Sequence, residues 1–233
     1  MLPVAILAGG LATRLRPMTA TIPKSLVEVA GRPFIEWQLD YLHSQGIHEV
    51  VMCVGYLGVQ IEELVGDGAK YGVHIDYSFD GSKLLGTGGA LRKALPLLGE
   101  AFFVFYGDSY LPIDFLEVQA SFRQQQLPAL MTVLKNEGQW DASNVIYRDG
   151  RLLEYNKREA SSDMDYIDYG LGVLSSKILI GHKEDEVFDL ADVYHDLSIQ
   201  GSLAGVEVHE RFYEIGSHQG LQETAEYLLA VRN

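Results

Sequence analysis

Glycine and cationic residues whose types suit phosphate binding lie close together near the start of this chain. Residues 5–26 read AILAGGLATRLRPMTATIPKSL, in which Gly9 and Gly10 follow a short apolar run. Glycines at such a place let backbone N–H groups approach a phosphate closely. Residues 1–35 contain one acidic side chain, Glu28, and four cationic ones, although the whole chain has a formal net charge of −14. A cationic patch on an acidic protein favours a small anionic ligand over nucleic acid. The four cationic residues are Arg14, Arg16, Lys24 and Arg32.

These glycines match neither of the two common phosphate-binding fingerprints. A P-loop has a glycine directly before its lysine, whereas Lys24 follows Pro23. The dinucleotide-binding pattern needs a further glycine soon after Gly10, where Leu11 and Ala12 stand instead. The position is still typical of a ligand site, because open α/β sheets bind ligands outside the carboxyl ends of their strands.

An alternation of strand and helix patterns is predicted to hold these glycines at the edge of a sheet. Apolar runs typical of buried strands alternate with segments of helical periodicity as far as residue 134. Such alternation implies a Rossmann-like α/β fold, with a mostly parallel sheet and helices on both faces. The predicted strands are 3–8, 49–54, 73–78, 101–108 and 129–134, and the predicted helices are 33–45, 57–65, 87–98 and 112–125.

The pattern changes after residue 140, where a small β insert is expected. Asp149-Gly150 lies between two strand-like runs within residues 144–157, which predicts a β-hairpin. A third strand is predicted over 166–174, and we expect the insert to form a lid or a secondary sheet over one edge of the main sheet. The predicted closing elements are a helix over 189–200, a strand over 203–208 and a helix over 217–231.

The composition excludes several classes of protein. No apolar run approaches the roughly 18 residues needed to cross a membrane. Pro3 and the pair Gly9-Gly10 interrupt any signal-peptide core, so we expect a cytoplasmic protein without a membrane partner. The single cysteine, Cys53, cannot form an intramolecular disulfide or a zinc cluster and is expected to be a buried, inert thiol. The sequence does not decide whether the chain forms a homo-oligomer.

The segment LAGGLATRLRPMTATIPKSL resembles the signature of the sugar-1-phosphate nucleotidyltransferases, G-G-x-G-T-R-L-x-P-x-T-x-x-x-P-K-P-L. The long, irregular spacing makes the match specific. The fixed positions that are present include Gly9, Gly10, Thr13, Arg14, Leu15, Pro17, Thr19, Pro23 and Lys24. Later segments are also similar to the family's, namely LLGTGGAL (84–91), FYGDS (105–109), LLEYNK (152–157), YIDYGLGVL (166–174) and FYEIGSHQGL (212–221).

The resemblance implies an enzyme that joins a nucleoside triphosphate to a sugar 1-phosphate and releases pyrophosphate. The nucleophile is a phosphate oxygen that is already ionised, so no general base is needed. Like unit charges about 4 Å apart repel by roughly 4 kcal/mol at an effective dielectric constant near 20, so catalysis is mostly positioning and positive charge. By the resemblance, Arg14 would bind the β- and γ-phosphates, Lys24 the α-phosphate and Lys157 the phosphate of the sugar.

The resemblance also implies Mg²⁺ and a set of substrate-binding residues. Asp108 and Glu214 match the two metal-ligand positions, although the family usually has Asp where Glu214 stands. The expected nucleotide-binding residues are Leu7, Ala8, Gly9, Gly10, Thr13, Arg14, Lys24, Thr87 and Gly88. The expected sugar-phosphate-binding residues are Tyr106, Asn144, Glu154, Lys157, Asp168 and Gly170.

The short length suggests a single catalytic domain without the C-terminal repeat domain of some relatives. Its expected parts are a nucleotide-binding core at 1–135 and a sugar-binding lid and closing segment at 140–233.

Two departures from the family pattern leave the sugar open, because Asp168 stands where Asn is common and Asn156 where many members have Glu. A third departure, Ala12 where a glycine is usual, concerns the glycine loop, and we expect the loop to tolerate its extra methyl group. The overall length and LGTGGAL resemble heptose-1-phosphate guanylyltransferases, whereas GDGAKYGVHIDYS and KALPLLGEAFF resemble N-acetylmuramate-1-phosphate uridylyltransferases. The balance favours GTP over UTP by a small margin.

Two alternatives remain at this point. One is a non-catalytic homologue that binds nucleotide-sugars and regulates a partner, although Arg14, Lys24 and Asp108 are all present. The other is a nucleotidyltransferase that acts on a non-sugar phosphate such as phosphocholine or an alditol phosphate.

Overall fold

A computed structural model of the chain describes residues 1–10, 13–15, 17–140 and 142–232, so Ala12 and its expected effect on the glycine loop lie outside the described residues. The strands are β1 (Val4–Leu7), β2 (Glu28–Val29), β3 (Arg32–Pro33), β4 (Glu49–Val54), β5 (His74–Phe79), β6 (Ala101–Tyr106), β7 (Ser109–Tyr110), β8 (Ala129–Lys135), β9 (Val145–Arg148), β10 (Arg151–Tyr155), β11 (Tyr166–Ser175), β12 (Leu203–Val208) and β13 (Tyr213–Glu214). The helices are α1 (Phe34–Ser44), α2 (Gly58–Val65), α3 (Gly86–Leu98), α4 (Phe115–Gln125), α5 (Leu190–Ile199) and α6 (His218–Arg232).

The main sheet combines a parallel half with a mixed half. Over the described residues it has nine strands, of which seven follow the order β10-β9-β11-β6-β1-β4-β5. Strands β1, β4, β5 and β6 are all parallel, whereas β11 runs antiparallel to β6. Strand β8 pairs with β11 and β12, and it is parallel to β12. The predicted α/β fold with a mostly parallel central sheet is therefore confirmed.

The structure refines the prediction for the segment after residue 140. The hairpin β9–β10 does lie at one end of the sheet, and its turn residues Asp149 and Gly150 have φ values of 50° and 75°. Strand β11, however, is a central strand that pairs with both β6 and β8. Residues 171–174 of β11 are all buried, so this part of the strand is covered on both faces, which suits the middle of a sheet better than a separate layer.

Helices cover both faces of the sheet because successive side chains of each strand point to opposite sides. Phe103 and Phe105 of β6 pack in one apolar cluster with residues of α1, α2 and α4. Phe102 and Val104 of the same strand pack in a second cluster with residues of α3 and α5. Fully burying one such side chain stabilises the fold by roughly 1.5–3 kcal/mol, so this alternation fixes β6 and the residues that follow it.

A third apolar cluster holds two short segments near the end of β6. Val27 and Val29 follow Lys24 in the chain, and they pack with Ile215 and with Leu228 of α6. Ile215 is fully buried and directly follows Glu214. The cluster therefore anchors both Lys24 and Glu214 beside the carboxyl end of the parallel strands.

In the part of the chain that the structure describes, none of the helices has the length and apolar character needed to cross a membrane.

Candidate active site

Two adjoining cavities open at the carboxyl ends of β1 and β6. The first cavity, of about 380 Å³, is lined by Gly9, Arg14, Lys24 and Thr87 among others. The second cavity, of about 460 Å³, is lined by residues that include Asn144, Lys157, Asp168 and Arg211. Tyr106 and Asp108 line both cavities. Two substrates bound in these cavities would therefore meet beside the end of β6.

Most of the sequence-predicted residues line one of the two cavities. Those in the first cavity are Leu7, Ala8, Gly9, Gly10, Arg14, Lys24 and Thr87, and those in the second are Tyr106, Asn144, Lys157, Asp168, Gly170, Asp108 and Glu214. Gly88 and Glu154 line neither cavity. The backbone of Thr13 lies in a short 3₁₀ turn, Thr13–Leu15, whose fully buried Leu15 leaves the neighbouring Arg14 exposed at the first cavity.

Close backbone packing explains the glycine after β1. The N–H of Ala8 donates to the carbonyl of Cys53 at 2.9 Å, and the N–H of Gly107 donates to the carbonyl of Leu7 at 3.0 Å. A Cβ atom on Gly9 would lie 3.1 Å from the backbone nitrogen of Gly55, which is tighter than ordinary contacts. The floor of the first cavity is therefore built from backbone of neighbouring strands. Burial raises the pKa of the Cys53 thiol there to about 12.

Lys24 forms an ion pair with Asp108. Its Nζ lies 2.6 Å from Oδ2 of Asp108, and only 17% of the lysine side chain is exposed. Pro23, with a φ of −67° and a ψ of 151°, leads the chain into the 3₁₀ turn Lys24–Leu26. The pair holds the ammonium at the junction of the two cavities, where phosphates of both substrates would need positive charge.

Glu214 is brought to the same junction by a short antiparallel pair. Strand β13 pairs with β7, so that Glu214 lies opposite Ser109, and the N–H of Ile215 donates to the carbonyl of Asp108 at 2.9 Å. Oε2 of Glu214 accepts a 2.8 Å hydrogen bond from the N–H of Gly216. A Cβ atom on Gly216 would collide with this carboxylate and lie 3.1 Å from Nζ of Lys24. Glycine therefore leaves room for both charged groups.

The two carboxylates fit a magnesium ion shared with substrate. Mg²⁺ is usually held by one or two carboxylates together with substrate phosphates and water. Asp108 and Glu214 supply two such carboxylates on adjacent backbone segments. Among the described residues there is no group of three or more His, Cys, Asp and Glu side chains placed to hold a metal. The donor set suits an oxygen-bound ion completed by phosphates.

The glycines at the start of α3 make room for another loop. The N–H groups of Gly88 and Gly89 both donate to the carbonyl of Phe188, at 3.1 and 3.3 Å. A Cβ atom on Gly88 would collide with the Phe188 ring. Thr87 donates from Oγ1 to Oδ1 of Asp189 at 2.7 Å. Packing against Phe188 therefore explains why position 88 is a glycine, independently of the expected contact with a nucleotide base.

Asp168 is held by backbone at a bulge of β11. Its Oδ1 accepts from the N–H of Gly170 at 2.9 Å, and its own N–H donates to Oδ1 of Asn144 at 2.9 Å. Gly170 has a φ of 105°, which a glycine adopts without strain. Burial raises the pKa of the Asp168 carboxyl to about 6, although the Gly170 N–H and the nearby Lys157 oppose this shift.

Asn156 organises the turn that presents Lys157. Its Oδ1 accepts hydrogen bonds from the N–H groups of Arg158 and Glu159, at 3.1 and 2.9 Å. Its Nδ2 donates weakly to Glu154, at 3.4 Å. These bonds account for an asparagine directly before the lysine that lines the second cavity.

Sequence reasoning missed one cationic residue of the second cavity, Arg211. Its guanidinium carbon lies 4.6 Å from the centre of the Trp140 ring and 4.5 Å from that of Tyr213. Trp140 also lines this cavity. The only local signal was the position of Arg211 directly before the FYEIG segment, because Trp140 is far away in the sequence.

Comparisons with known proteins show the family of this chain. A family model described as "Nucleotidyl transferase" matches residues 4–141. An N-acetylmuramate alpha-1-phosphate uridylyltransferase from Neisseria meningitidis serogroup B is 48% identical over 222 residues, which cover 94% of each chain. A D-glycero-alpha-D-manno-heptose 1-phosphate guanylyltransferase from Aneurinibacillus thermoaerophilus is 32% identical over 162 residues, 68% of each chain.

A solved structure shares the whole fold. HddC from Yersinia pseudotuberculosis, complexed with GMP-PN, matches with a TM-score of 0.81 over 98% of this chain and 100% of that one, at 24% identity. The family model covers more than half of the chain, and the Neisseria relative covers nearly all of it. The resemblance of residues 7–26 to the nucleotidyltransferase signature is thus confirmed. The chain belongs to the nucleotidyl transferase family and is one of its sugar-1-phosphate nucleotidyltransferases.

Proposed function

We propose that this enzyme transfers a uridylyl group from UTP to N-acetylmuramate 1-phosphate, releasing pyrophosphate. The observation that carries the reaction type is the meeting of two cavities at Asp108, with Lys24 paired to it at 2.6 Å. The two substrates are supported by the printed name of the 48% identical relative, which aligns over 94% of both chains. We assign residues 1–135 to nucleotide binding and residues 140–233 to sugar binding and closure.

The proposed reaction is an in-line displacement at the α-phosphorus of the triphosphate. An oxygen of the sugar 1-phosphate forms a bond to that phosphorus, and the bond from the phosphorus to the bridging oxygen breaks. Pyrophosphate leaves with the electron pair of that bond. The attacking oxygen is already ionised, so the chain needs no group to remove a proton. Its task is to bring two anions together and to stabilise the charge that develops.

The cationic residues divide this task between the two cavities. Arg14 at the first cavity binds the β- and γ-phosphates, for which its forked guanidinium is suited. Lys24 at the junction stabilises the α-phosphate in the transition state. Lys157 at the second cavity holds the phosphate of the sugar. In this proposal the three cations are assigned in the order of the phosphates in the reacting complex.

Asp108 and Glu214 would hold Mg²⁺. When bound, the ion supplies positive charge that neutralises the phosphates of the two substrates. Asp108 is within hydrogen-bond distance of Lys24, so the lysine balances its charge at 2.6 Å. Glu214 is longer than the usual Asp by one methylene group, and its backbone is set by the pairing of β13 with β7.

UTP replaces GTP as the preferred nucleotide in this proposal. The small margin for GTP depended on the length of the chain and on the LGTGGAL segment. That segment starts α3, and its glycines pack against Phe188, so the structure offers a reason for them that does not involve the base. The 48% identity to a uridylyltransferase exceeds the 32% identity to a heptose guanylyltransferase, and it extends over more of the chain.

The test is pyrophosphate release from each of UTP, GTP, CTP and dTTP with a panel of sugar 1-phosphates and Mg²⁺. We expect release with UTP, and a loss of at least about 100-fold in kcat for Lys24→Ala and for Asp108→Asn. Arg123→Gln, an exposed change on α4 that lines neither cavity, serves as the matched control. Tight binding of a nucleotide-sugar without any release would instead support a non-catalytic regulator. Release with phosphocholine or an alditol phosphate, and with none of the sugars, would support the non-sugar alternative.

A further inference from the structure

The second cavity contains a cation that the proposed reaction does not use. Lys157 is assigned to the phosphate of the sugar, and Arg14 and Lys24 serve the triphosphate from the other side. Arg211 lines the second cavity as well, and 37% of its side chain is exposed. Arg211 is paired with Glu223, which lines the same cavity, but it has no phosphate to bind in the proposed reaction, and this favours a second anionic group on the sugar.

Aromatic rings hold the plane of this guanidinium. Trp140 lies on Arg211 at 4.6 Å, and Tyr213 lies on it at 4.5 Å. Tyr213 in turn stacks on Tyr227 of α6, with ring centres 4.0 Å apart. The backbone of Trp140 is also held, because its N–H donates to Oδ1 of the buried Asn136 at 3.1 Å. A guanidinium fixed in this way loses little conformational freedom when it binds a ligand.

Hydrogen bonds fix the guanidinium within its plane and leave donors available. Nε of Arg211 donates to the carbonyl of Phe212 at 3.3 Å, and Nη2 donates to Oε2 of Glu223 at 2.6 Å. A guanidinium has five N–H groups, so three of them make no hydrogen bond to the residues that the structure describes. The same contact lowers the pKa of Glu223, which keeps its carboxylate ionised. Glu223 thus orients the arginine from one edge without using all of its donors.

We propose that Arg211 is a specificity-determining residue that binds a carboxylate on the sugar substrate. This inference rests on the proposed function, because it assumes that a sugar 1-phosphate occupies the second cavity. N-acetylmuramate differs from N-acetylglucosamine by a lactyl ether that ends in a carboxylate. A guanidinium can bind such a group with two parallel hydrogen bonds. The neutral hydroxyl of N-acetylglucosamine cannot replace that charge-assisted pair, so the enzyme discriminates between the two sugars.

The test compares the two sugars in the same enzyme. The ratio of kcat/KM for N-acetylmuramate 1-phosphate to that for N-acetylglucosamine 1-phosphate is measured with saturating UTP and Mg²⁺. We expect the wild-type ratio to be well above one, and Arg211→Gln to lower it by about 10- to 100-fold. Arg211→Lys keeps the charge but loses the fork, so it should give an intermediate ratio. Arg123→Gln should keep the wild-type ratio.

The outcomes separate this inference from the proposed function. A purely structural role of Arg211 would affect both sugars alike, so an unchanged ratio in Arg211→Gln overturns the inference. A wild-type ratio near one, with turnover of both sugars, also overturns it while the reaction stands. An absence of turnover with every sugar 1-phosphate overturns the proposed function instead. A shift in melting temperature on adding UTP reports that each variant is folded.

Discussion

Asp168 carries its charge in surroundings that oppose ionisation. Burial raises its folded pKa to about 6, above the usual value of 3.8. The folded protein therefore holds this proton more tightly than the unfolded chain. The resulting loss of stability begins as the pH rises past about 4 and is complete above about 6. In this pH window Asp168 makes folding less favourable as its carboxyl ionises.

Asp168→Asn should remove this pH-dependent loss of folding stability, because asparagine does not ionise. Asparagine keeps an oxygen that can accept from the Gly170 N–H, which now bonds Oδ1 of Asp168 at 2.9 Å. We expect the variant to unfold with a free energy about 1–2 kcal/mol higher than wild type at pH 8, and with little difference near pH 4. Urea unfolding of both proteins at several pH values across this range measures the difference in the free energy of unfolding. The exposed Asp163→Asn should change neither value, and a difference that is independent of pH would contradict the explanation.

Site residues that belong to one continuous sequence motif could be predicted from residue types and spacing. Arg14 and Lys24 belong to one irregular signature within residues 9–24, so a single segment predicts both. Arg211 could not be found in this way, because its environment is assembled from Trp140 and Tyr213, which only the fold brings together. Gly88 was named from the sequence, but its packing against Phe188, in a loop before α5, could not be predicted for the same reason.

At the scale of elements, α3 depends on that loop for its close packing. A Cβ atom on Gly88 would overlap the Phe188 ring, which is itself stacked on His182 with ring centres 4.0 Å apart. Gly88→Ala should therefore destabilise the protein by about 1–3 kcal/mol, despite the better helix propensity of alanine. Gly181→Ala is the matched control, because nothing lies within 4 Å of the Cβ atom it would add.

A second substitution identifies the cause of that destabilisation. Phe188→Leu removes ring atoms from the space that the new methyl group needs. In a double-mutant cycle, the pair should therefore be less destabilised than the sum of the two single variants. Denaturant unfolding gives all three free energies. If the effects of Gly88→Ala and Phe188→Leu simply add, the overlap with the ring is not the source of the cost.

The positions of helices and strands along the chain were easier to predict than the pairing of the strands in the sheet. Hydrophobic periodicity placed α1 and α5 and most strands within a few residues of their observed ends, because each pattern is local. The central position of β11 was not predicted, because a strand pattern states which side chains are buried but not which strands pair with it. Its partners, β6 and β8, lie about 30 or more residues earlier in the chain.

At the scale of the whole molecule, the junction is built by both halves of the chain. Lys24 and Asp108 come from the first half and Glu214 from the second, and the backbone of Ile215 bonds to Asp108 at 2.9 Å. A nucleotide with its metal ion would therefore contact segments distant in sequence and link them. Because such a ligand binds only the folded chain, binding must raise the stability of the whole molecule.

Magnesium and UTP together should raise the melting temperature by about 5–10 °C at 100 times the dissociation constant, where binding adds roughly 2.7 kcal/mol. Replacing Mg²⁺ by EDTA should remove most of this shift, because the triphosphate would then meet Asp108 and Glu214 without a cation between them. Lys24→Ala should also reduce it, since the variant lacks the ammonium now 2.6 Å from Asp108, whereas Arg123→Gln should retain it. Each shift is measured against the same variant without ligand, which cancels any change in intrinsic stability. An equal shift in EDTA would mean that UTP binds without using the two carboxylates, and it would remove them from the proposed metal site.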